Sequence, residues 1–585
     1  MGGGVGERVR ARPANGQDAG LRQRDEPRHH RSVPEDSVGA GRRQGGRDPG
    51  GGRPPRDGGD RSGRAGDEDR HGRVAARCRR RSGAARHQGR ARQVRRAQRS
   101  HRRVHDRPSP RAARRRPGGD LPDGQQALAS GRVDARQSVL RQGDADLRQL
   151  PVNISFTKHT LANGLDVLVH EDHACPIVAV NLWYHVGSKN ERPGHTGFAH
   201  LFEHLMFEGS QHHDRGYFQP LQGAGATLNG STNADRTNYW EVVPSGALDL
   251  ALWMESDRMG YLLPAVTEAK FANQRDVVMN ERRQNYENRP YGLAPMALLA
   301  ALFPPDHPYH WTTIGEIADL KAVQLDEVHA FFRRYYHPAN ASIALAGDID
   351  REQALALVER YFGEIDAGDR VEPVGASASL THDVRLRFED RVELPRLYLA
   401  WLSPAMFAEG DAELDLATDL LANGKTSRLY RRLVFDERLA TDVSASQNSR
   451  EITGYVQITA TAAPGHALAE LERAIFEEIA RLTADGPTDE EIDRGRIQTE
   501  TQFMFRLQTV GGFGGKSDQL NAYNVFLKDP AYFGRDLARY QVVTKSSLQE
   551  VAGRYLDPAR RVTLSIVPHD RTALAAPDSD PAVVS

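Results

Sequence analysis

Residues 194–210 read GHTGFAHLFEHLMFEGS. The stretch has the texture of an apolar helix, yet it places His200, Glu203 and His204 within five positions. At i, i+3 and i+4 the three side chains share one helical face. Two imidazoles four residues apart can bind one Zn²⁺ at about 2.0–2.1 Å each. The carboxylate beside them can accept a proton from a water held by that metal. Taken alone, the pattern also fits two satisfied core histidines with a salt-bridged glutamate, because five-residue patterns arise by chance. Its surroundings decide between the two.

The 585 residues have a formal charge of zero, but the average hides two different materials. Residues 1–150 carry 37 Arg, no Lys and 18 acidic residues, and lack Phe, Trp, Tyr and Ile. Such a segment cannot bury enough apolar surface to offset its chain entropy, so disorder is expected. Arg-rich tails can bind nucleic acid through phosphates, but this one has neither Lys nor aromatic residues for stacking, which makes a nucleic-acid partner the weakest reading. The composition is what GC-rich DNA yields when translated in a wrong frame or from too early a start. On that preferred reading translation begins at Val152, since a GTG codon can initiate in bacteria. A start there would imply a cytoplasmic protein, and a true signal peptide hidden by a wrong start a periplasmic one. No run approaches the ~20 apolar residues that a bilayer requires. With only Cys78 and Cys175 present, any metal must be held by His and carboxylate.

From about Ile154 the texture changes to alternation and helical periodicity. GLDVLVHED and IVAVNLWYHVGS read as strands, the HLFEH helix follows, and ATLNGSTNADRTNYWEVVP reads as one long strand. Two helices and a helix feeding a strand close a first unit. A second unit repeats this grammar. YWEVVPSGALDLALWMESDRM and VQITATAAPGHALAELERAIFEEI both run strand, Pro, two residues, Ala-Leu, amphipathic helix, hinged at Pro244 and Pro464. The expected organisation is an α+β chain: residues 1–150 of low complexity, a first domain over 151–365 that carries HLFEH, a linker over 366–382, a homologous second domain over 383–575, and a tail over 576–585.

HxxEH is the inverted form of the HExxH zinc motif, the inverzincin signature. With TLANGLDVLVHED, LNGSTNADRTNYWEVVP, HPYHWTTIGEIADL and YHPANASIALAGDID, the chain resembles the pitrilysin/insulinase family of zinc metallopeptidases across roughly residues 154–570. That family places a third ligand, a glutamate, 76 residues beyond the second histidine, and here 76 residues separate His204 from Glu281. The resemblance implies two homologous α/β-sandwich domains and one Zn²⁺ per chain on His200, His204 and Glu281. It implies Glu203 as general base, and an edge strand around Asn229, Gly230 and Ser231 that receives a peptide or unfolded polypeptide as an added strand. The expected activity is that of a zinc endopeptidase. A non-catalytic or partner-dependent assembly subunit on the same fold is the alternative.

Two positions depart from the family pattern. Gln274 stands where many members have a second glutamate, seven residues before Glu281, and altered tuning of the metal is expected there. In RLVFDERLATDVSA, Val434 and Thr441 occupy the places of an Arg and a Tyr that contact substrate. A heterodimer with a homologous chain that supplies the Arg/Tyr pair is therefore expected. GGFGGKS at 511–517 would need Gly at Val510 to be a phosphate-binding loop and reads as a glycine-rich segment near the substrate chamber. His170, Glu171, His173, His212 and His213 read as surface residues rather than further metal sites.

Overall fold

The computed structural model describes residues 153–584. The expected disorder of residues 1–150 and the expected start at Val152 lie outside these residues.

Six strands build a first sheet: β1 (Thr157–Thr160), β2 (Asp166–Glu171), β3 (Ile177–Tyr184), β4 (Thr227–Thr232), β5 (Thr237–Pro244) and β6 (Ala341–Gly347), in the spatial order β1-β2-β6-β3-β5-β4. A second sheet comprises β7 (Val384–Asp390), β8 (Arg396–Ser403), β9 (Ala440–Asn448), β10 (Gly454–Ala462), β11 (Val562–Pro568) and β12 (Asp580–Pro581), ordered β12-β7-β11-β8-β10-β9. The two follow one plan. β2 lies parallel to β6 as β7 does to β11, and the remaining shared pairs are antiparallel in both. The duplication visible in one pair of sequence stretches thus extends over five strands. No helix among the described residues is long and apolar enough to cross a membrane.

Seven helices carry the argument below: α1 (Phe198–Leu205), α2 (Leu248–Tyr261), α3 (Glu268–Arg282), α4 (Ala294–Leu302), α5 (Asp411–Ala422), α6 (Leu468–Asp485) and α7 (Lys516–Leu527). Phe198, Leu201, Phe202 and Leu205 form the apolar stripe of α1 and are buried with Val180, Leu182 and Tyr239 of the first sheet. α5 and α6 cover the second sheet in the same manner, on Leu397, Leu399 and Trp401.

Each sheet's other face is covered by a helix from the opposite half of the chain. α4 packs Leu298 and Leu302 on Tyr398, Ala400 and Leu564 of the second sheet. α7 packs Leu520 and Tyr523 on Leu168 and Ala344 of the first. Burial on both faces explains why β3 reads as a continuous apolar run with a single Asn. That Asn181, with Trp183 and Asn238, donates to one carboxylate oxygen of Asp518 on α7, at 3.2, 2.9 and 3.2 Å.

Two expectations from sequence need correction. The stretch 226–244 is a hairpin, not one strand. Asn233 Oδ1 accepts from the backbone N–H groups of Asp235 and Arg236 at 2.8 and 2.9 Å, the local turn that an Asn side chain favours. The supposed tail joins the second sheet at Asp580 and Pro581, which pair with β7, and Ala576 is buried. The glycine-rich segment lies on the face of the first sheet opposite α1. A Cβ at Gly511 would meet Ala179 and Val242 at 2.6 Å, Phe513 packs edge-on against Trp240, and Asp518 accepts from the Gly514 N–H at 2.7 Å. Residues 366–382 contain no helix or strand.

Asp518→Ala removes the acceptor of four donors, most of them buried between sheet and helix. An unpaired buried donor costs about 1–3 kcal/mol, so the variant should lose about 3 kcal/mol or more in urea unfolding. Asp518→Asn, which keeps one acceptor oxygen, should lose less. Equal stability of Ala and Asp at this position would contradict the interlock.

Candidate metal centre

α1 is preceded by Gly197, whose φ of 89° suits glycine and at which a Cβ would stand 2.9 Å from the Ile314 carbonyl oxygen. No side chain within the helix caps it. Instead the buried Glu191 accepts from the N–H groups of Gly197 and Ala199, each at 2.9 Å, and from Trp311 Nε1 at 3.1 Å. A carboxylate there satisfies amides that the helix leaves without partners. Burial nevertheless pushes this carboxyl up to about 8, against those hydrogen bonds.

With its apolar stripe in the core, α1 turns His200, Glu203 and His204 the other way, towards α3. Glu281 on α3 brings Oε2 to 3.8 Å from His200 Nε2 and 3.4 Å from His204 Nε2. The ligand atoms of the three residues all lie within 4.8 Å of one another, and among the described residues no other His, Cys, Asp or Glu group converges in this way. Ligands of a tetrahedral zinc site, each about 2.0–2.2 Å from the metal, stand roughly 3.3–3.6 Å apart. The donor set, two imidazoles and one carboxylate, therefore fits a zinc ion with one position left open.

The protonation states are set by burial and by each other. Burial, with His204 alongside, lowers His200 to about 4, so its ring is neutral and able to coordinate. Burial would also lower His204, but the hydrogen bond and charge of Glu281 outweigh it and raise this histidine above its ordinary value. The His204 contact, working against burial, holds Glu281 below the usual carboxylate range. Glu203 is raised by burial, opposed by the Thr232 hydroxyl and by His204.

Gln274 on α3 hydrogen-bonds His204 and donates to Glu208 at 2.5 Å. A neutral amide thus orients one ligand ring. His200 Nδ1 is buried without a partner among the described residues, so packing alone orients that ring. Asn229, Gly230 and Ser231 lie on β4, the free edge of the first sheet. A Cβ at Gly230 would press on Phe207 and Tyr239 at 3.1 Å, and its N–H is engaged by Asn229 Oδ1 at 2.9 Å. The Ser231 carbonyl accepts from Arg236 at 2.9 Å.

Sequence reasoning missed Glu191 and Arg236. Arg236, in the hairpin turn, is half-buried near Asp518 and Glu203 and favours the charged form of Glu203. Nothing in the local sequence singles out either residue, because each acts across the fold. The histidines read as surface residues divide: His173 is exposed and paired with Asp348, whereas His170 is buried and bonded to the Ser155 carbonyl at 2.6 Å. In the second half, α5 holds the place that α1 holds in the first. It carries no histidine, and its Asp415 accepts from the Tyr540 hydroxyl at 2.7 Å.

Residues 166–307 match the family model of the insulinase peptidases, family M16, and residues 322–499 that of the peptidase M16 inactive domain. The chain is 28% identical over 368 residues to the zinc protease PqqE of Helicobacter pylori, spanning 61% of this chain and 81% of that protein. It is 24% identical over 354 residues to the uncharacterized zinc protease YmxG of Bacillus subtilis, spanning 60% and 85%. A crystal structure of a protease from Helicobacter pylori superposes with a TM-score of 0.66 at 26% identity, over 72% of this chain and 100% of that one. The first half of the periplasmic protease PqqL from Escherichia coli shares the fold, with a TM-score of 0.60 at 20% identity over 73% and 95% of the two chains.

Because His204 stands above the ordinary histidine value without metal, coordination must displace its proton wherever the pH lies below that raised value. Zinc affinity should fall as pH decreases through that range. Calorimetry in buffers of different ionisation enthalpy should record more protons released per zinc below that raised value than above it. Proton release that does not change with pH would refute the His204–Glu281 pairing.

Proposed function

The chain belongs to the pitrilysin/insulinase (M16) peptidase family, and from that membership and the site geometry we infer that it is a zinc-dependent endopeptidase acting on peptides or unstructured polypeptides. The observation that carries this reading is the convergence of His200, His204 and Glu281 with Glu203 on the same face of α1. His200, His204 and Glu281 would hold one Zn²⁺ per chain. Bound there, zinc supplies Lewis acidity, polarising a peptide carbonyl and making a water easier to deprotonate.

Glu203 is the general base. Burial raises its carboxyl towards the working pH, while Arg236 and His204 keep the charged form accessible. Such a group can take the proton of the attacking water and pass it to the leaving amine. β4 offers its free edge beside the site, and a peptide pairing there is held through its backbone, so substrates of varied sequence can be accepted. For that pairing the Asn229 side chain must release the Gly230 N–H. Gln274 acts by orienting His204.

Partner dependence is the second part of the reading. Val434 packs against the second core and Thr441 stands at the start of β9, bonded to Asp442. Val434 has no donor and the Thr441 hydroxyl is spent on Asp442, so neither replaces the Arg and Tyr at a developing oxyanion, where such donors typically supply about 3–4 kcal/mol in hydrolases. The working enzyme is accordingly a heterodimer with a homologous chain that retains the Arg/Tyr pair. A purely structural subunit of the same fold is the competing reading, disfavoured by the complete ligand set. The nucleic-acid reading concerns residues outside those described.

Zinc analysis and peptide turnover test the assignment together. Glu203→Gln should keep about one zinc per chain and lose cleavage by about two orders of magnitude or more, whereas His204→Ala and Glu281→Gln should lose the metal. Full turnover by Glu203→Gln would exclude it as the base. Cleavage of a quenched peptide library by the isolated chain should be weak and rise about a hundredfold with the partner chain. A homodimer already fully active would remove the need for a partner.

A further inference from the structure

Glu281 also forms part of the wall of a cleft of about 510 Å³. Arg289 and Tyr291, from the segment after α3, line it together with Arg396, Tyr398 and Gln457 from β8 and β10. The second sheet turns this face towards the first half of the chain. α4 covers the apolar part of that face, and the cleft opens where the cover ends, at the helix's first residues, Ala294 and Pro295.

Two arginines, Arg289 and Arg396, face a single carboxylate, that of Glu281, in the cleft. The Arg289 side chain has no hydrogen-bond or ion-pair partner among the described residues. Arg396 donates Nε–H to Thr461 Oγ1 at 2.8 Å and reaches the Tyr398 hydroxyl, and no carboxylate forms an ion pair with it. The carboxylates nearby are engaged elsewhere. Asp390 accepts from the N–H groups of Tyr291 and Arg391 at 2.7 and 2.6 Å. Asp442 accepts from the hydroxyls of Thr441 and Thr461 at 3.1 and 3.2 Å. Glu281 is committed to the histidines.

The Arg396 guanidinium lies 3.8 Å above the Tyr291 ring. Tyr291 holds a φ of 60°, which bulky residues rarely adopt. Asp390 fixes its N–H, and its hydroxyl donates to the Leu394 carbonyl at 2.7 Å. The backbone is thus held in an unfavourable conformation that sets an aromatic platform under an arginine. Such strain persists only where the surroundings over-determine it, and it clusters at binding sites.

We propose that this cleft is a substrate subsite for a carboxylate, carried by an acidic side chain or by the C-terminus of the peptide lying across Glu281, with Arg289 and Arg396 as its specificity-determining residues. The assignment rests on the peptidase reading above. Arginine suits the task, because its planar fork pairs with carboxylate through two hydrogen bonds and stacks on an aromatic face.

Binding is measured separately from cleavage. The full-length, zinc-loaded Glu203→Gln chain is titrated with fluorescein-labelled peptides, read by anisotropy. One series has an amidated C-terminus and Glu or Gln scanned along the sequence. A second has Gln throughout and compares free with amidated C-termini at each length. Wild-type kcat/KM is measured on the same pairs. At one position or length the carboxylate form should bind about tenfold tighter than its neutral counterpart. Arg289→Gln with Arg396→Gln should bring the ratio to about 1, and Arg396→Lys should restore part of it. Preference in the first series identifies a side chain as the ligand, and preference in the second a terminus. Ratios near 1 throughout, ratios unchanged in the double variant, or failure of every peptide to bind would overturn the subsite. Circular dichroism and zinc content identify a double variant that fails to fold, in which case Arg289→Gln with Arg396→Lys carries the comparison. Discrimination in binding without any wild-type cleavage, either by the chain alone or with the homologous partner chain, would leave the subsite standing and sink the peptidase reading.

Discussion

Donor atoms from two helices can share one ion only if the helices are locked to within a few tenths of an ångström, and the rest of the first half answers that constraint. α1 is short, with its apolar stripe buried under the sheet, so its ligand face cannot rotate without exposing Phe202 and Leu205. Its start is fixed twice, by Gly197 against the Ile314 carbonyl and by Glu191 on its first amides. α3 is tied to α1 through Gln274, which bridges Glu208 and His204. Preorganisation of this kind lets a metal bind without paying for rearrangement of its ligands.

The two halves hold one another through exchanged helices. α4 covers a face of the second sheet and α7 a face of the first, so neither sheet exposes an apolar face. The exchange also reaches the metal centre. Asp518, on α7, lies beside Arg236, which in turn faces Glu203. The second half carries no ligand of its own and still bears on the electrostatics of the proposed base.

Several buried charges support this arrangement. Arg258 is wholly buried between the rings of Tyr217 and Tyr239, 4.0 and 4.1 Å from their centroids, and is paired with Glu255. Glu241 beside them is raised well above the usual carboxylate range by burial, which keeps its proton on. Tyr239 and Phe207 are the rings on which Gly230 rests. Removing one member of such a cluster leaves an uncompensated charge, the costly direction for a buried ion pair. The edge strand thus stands on a polar core as well as an apolar one.

The duplicated α+β plan was legible in the sequence because strand and helix periodicities are local, and the two histidine ligands because HLFEH places them on one helical face; Glu281 was reached through the resemblance to the family. The hairpin at 226–244 was misread because the Asn233 turn lies inside an almost uniformly polar run, residues 229–238, with no Gly or Pro at the turn itself. Glu191, Arg236 and Asp518 were illegible, since each acts on residues distant in sequence. Composition and pattern by themselves determined the class of fold, the absence of cysteine ligands and the two candidate histidine ligands, and the family resemblance added Glu281. Tertiary structure alone decided which helix covers which sheet, which acid caps α1, and that Arg289 and Arg396 share a cleft with Glu281. Such contacts depend on the sum of packing over both halves, and no local periodicity encodes that sum.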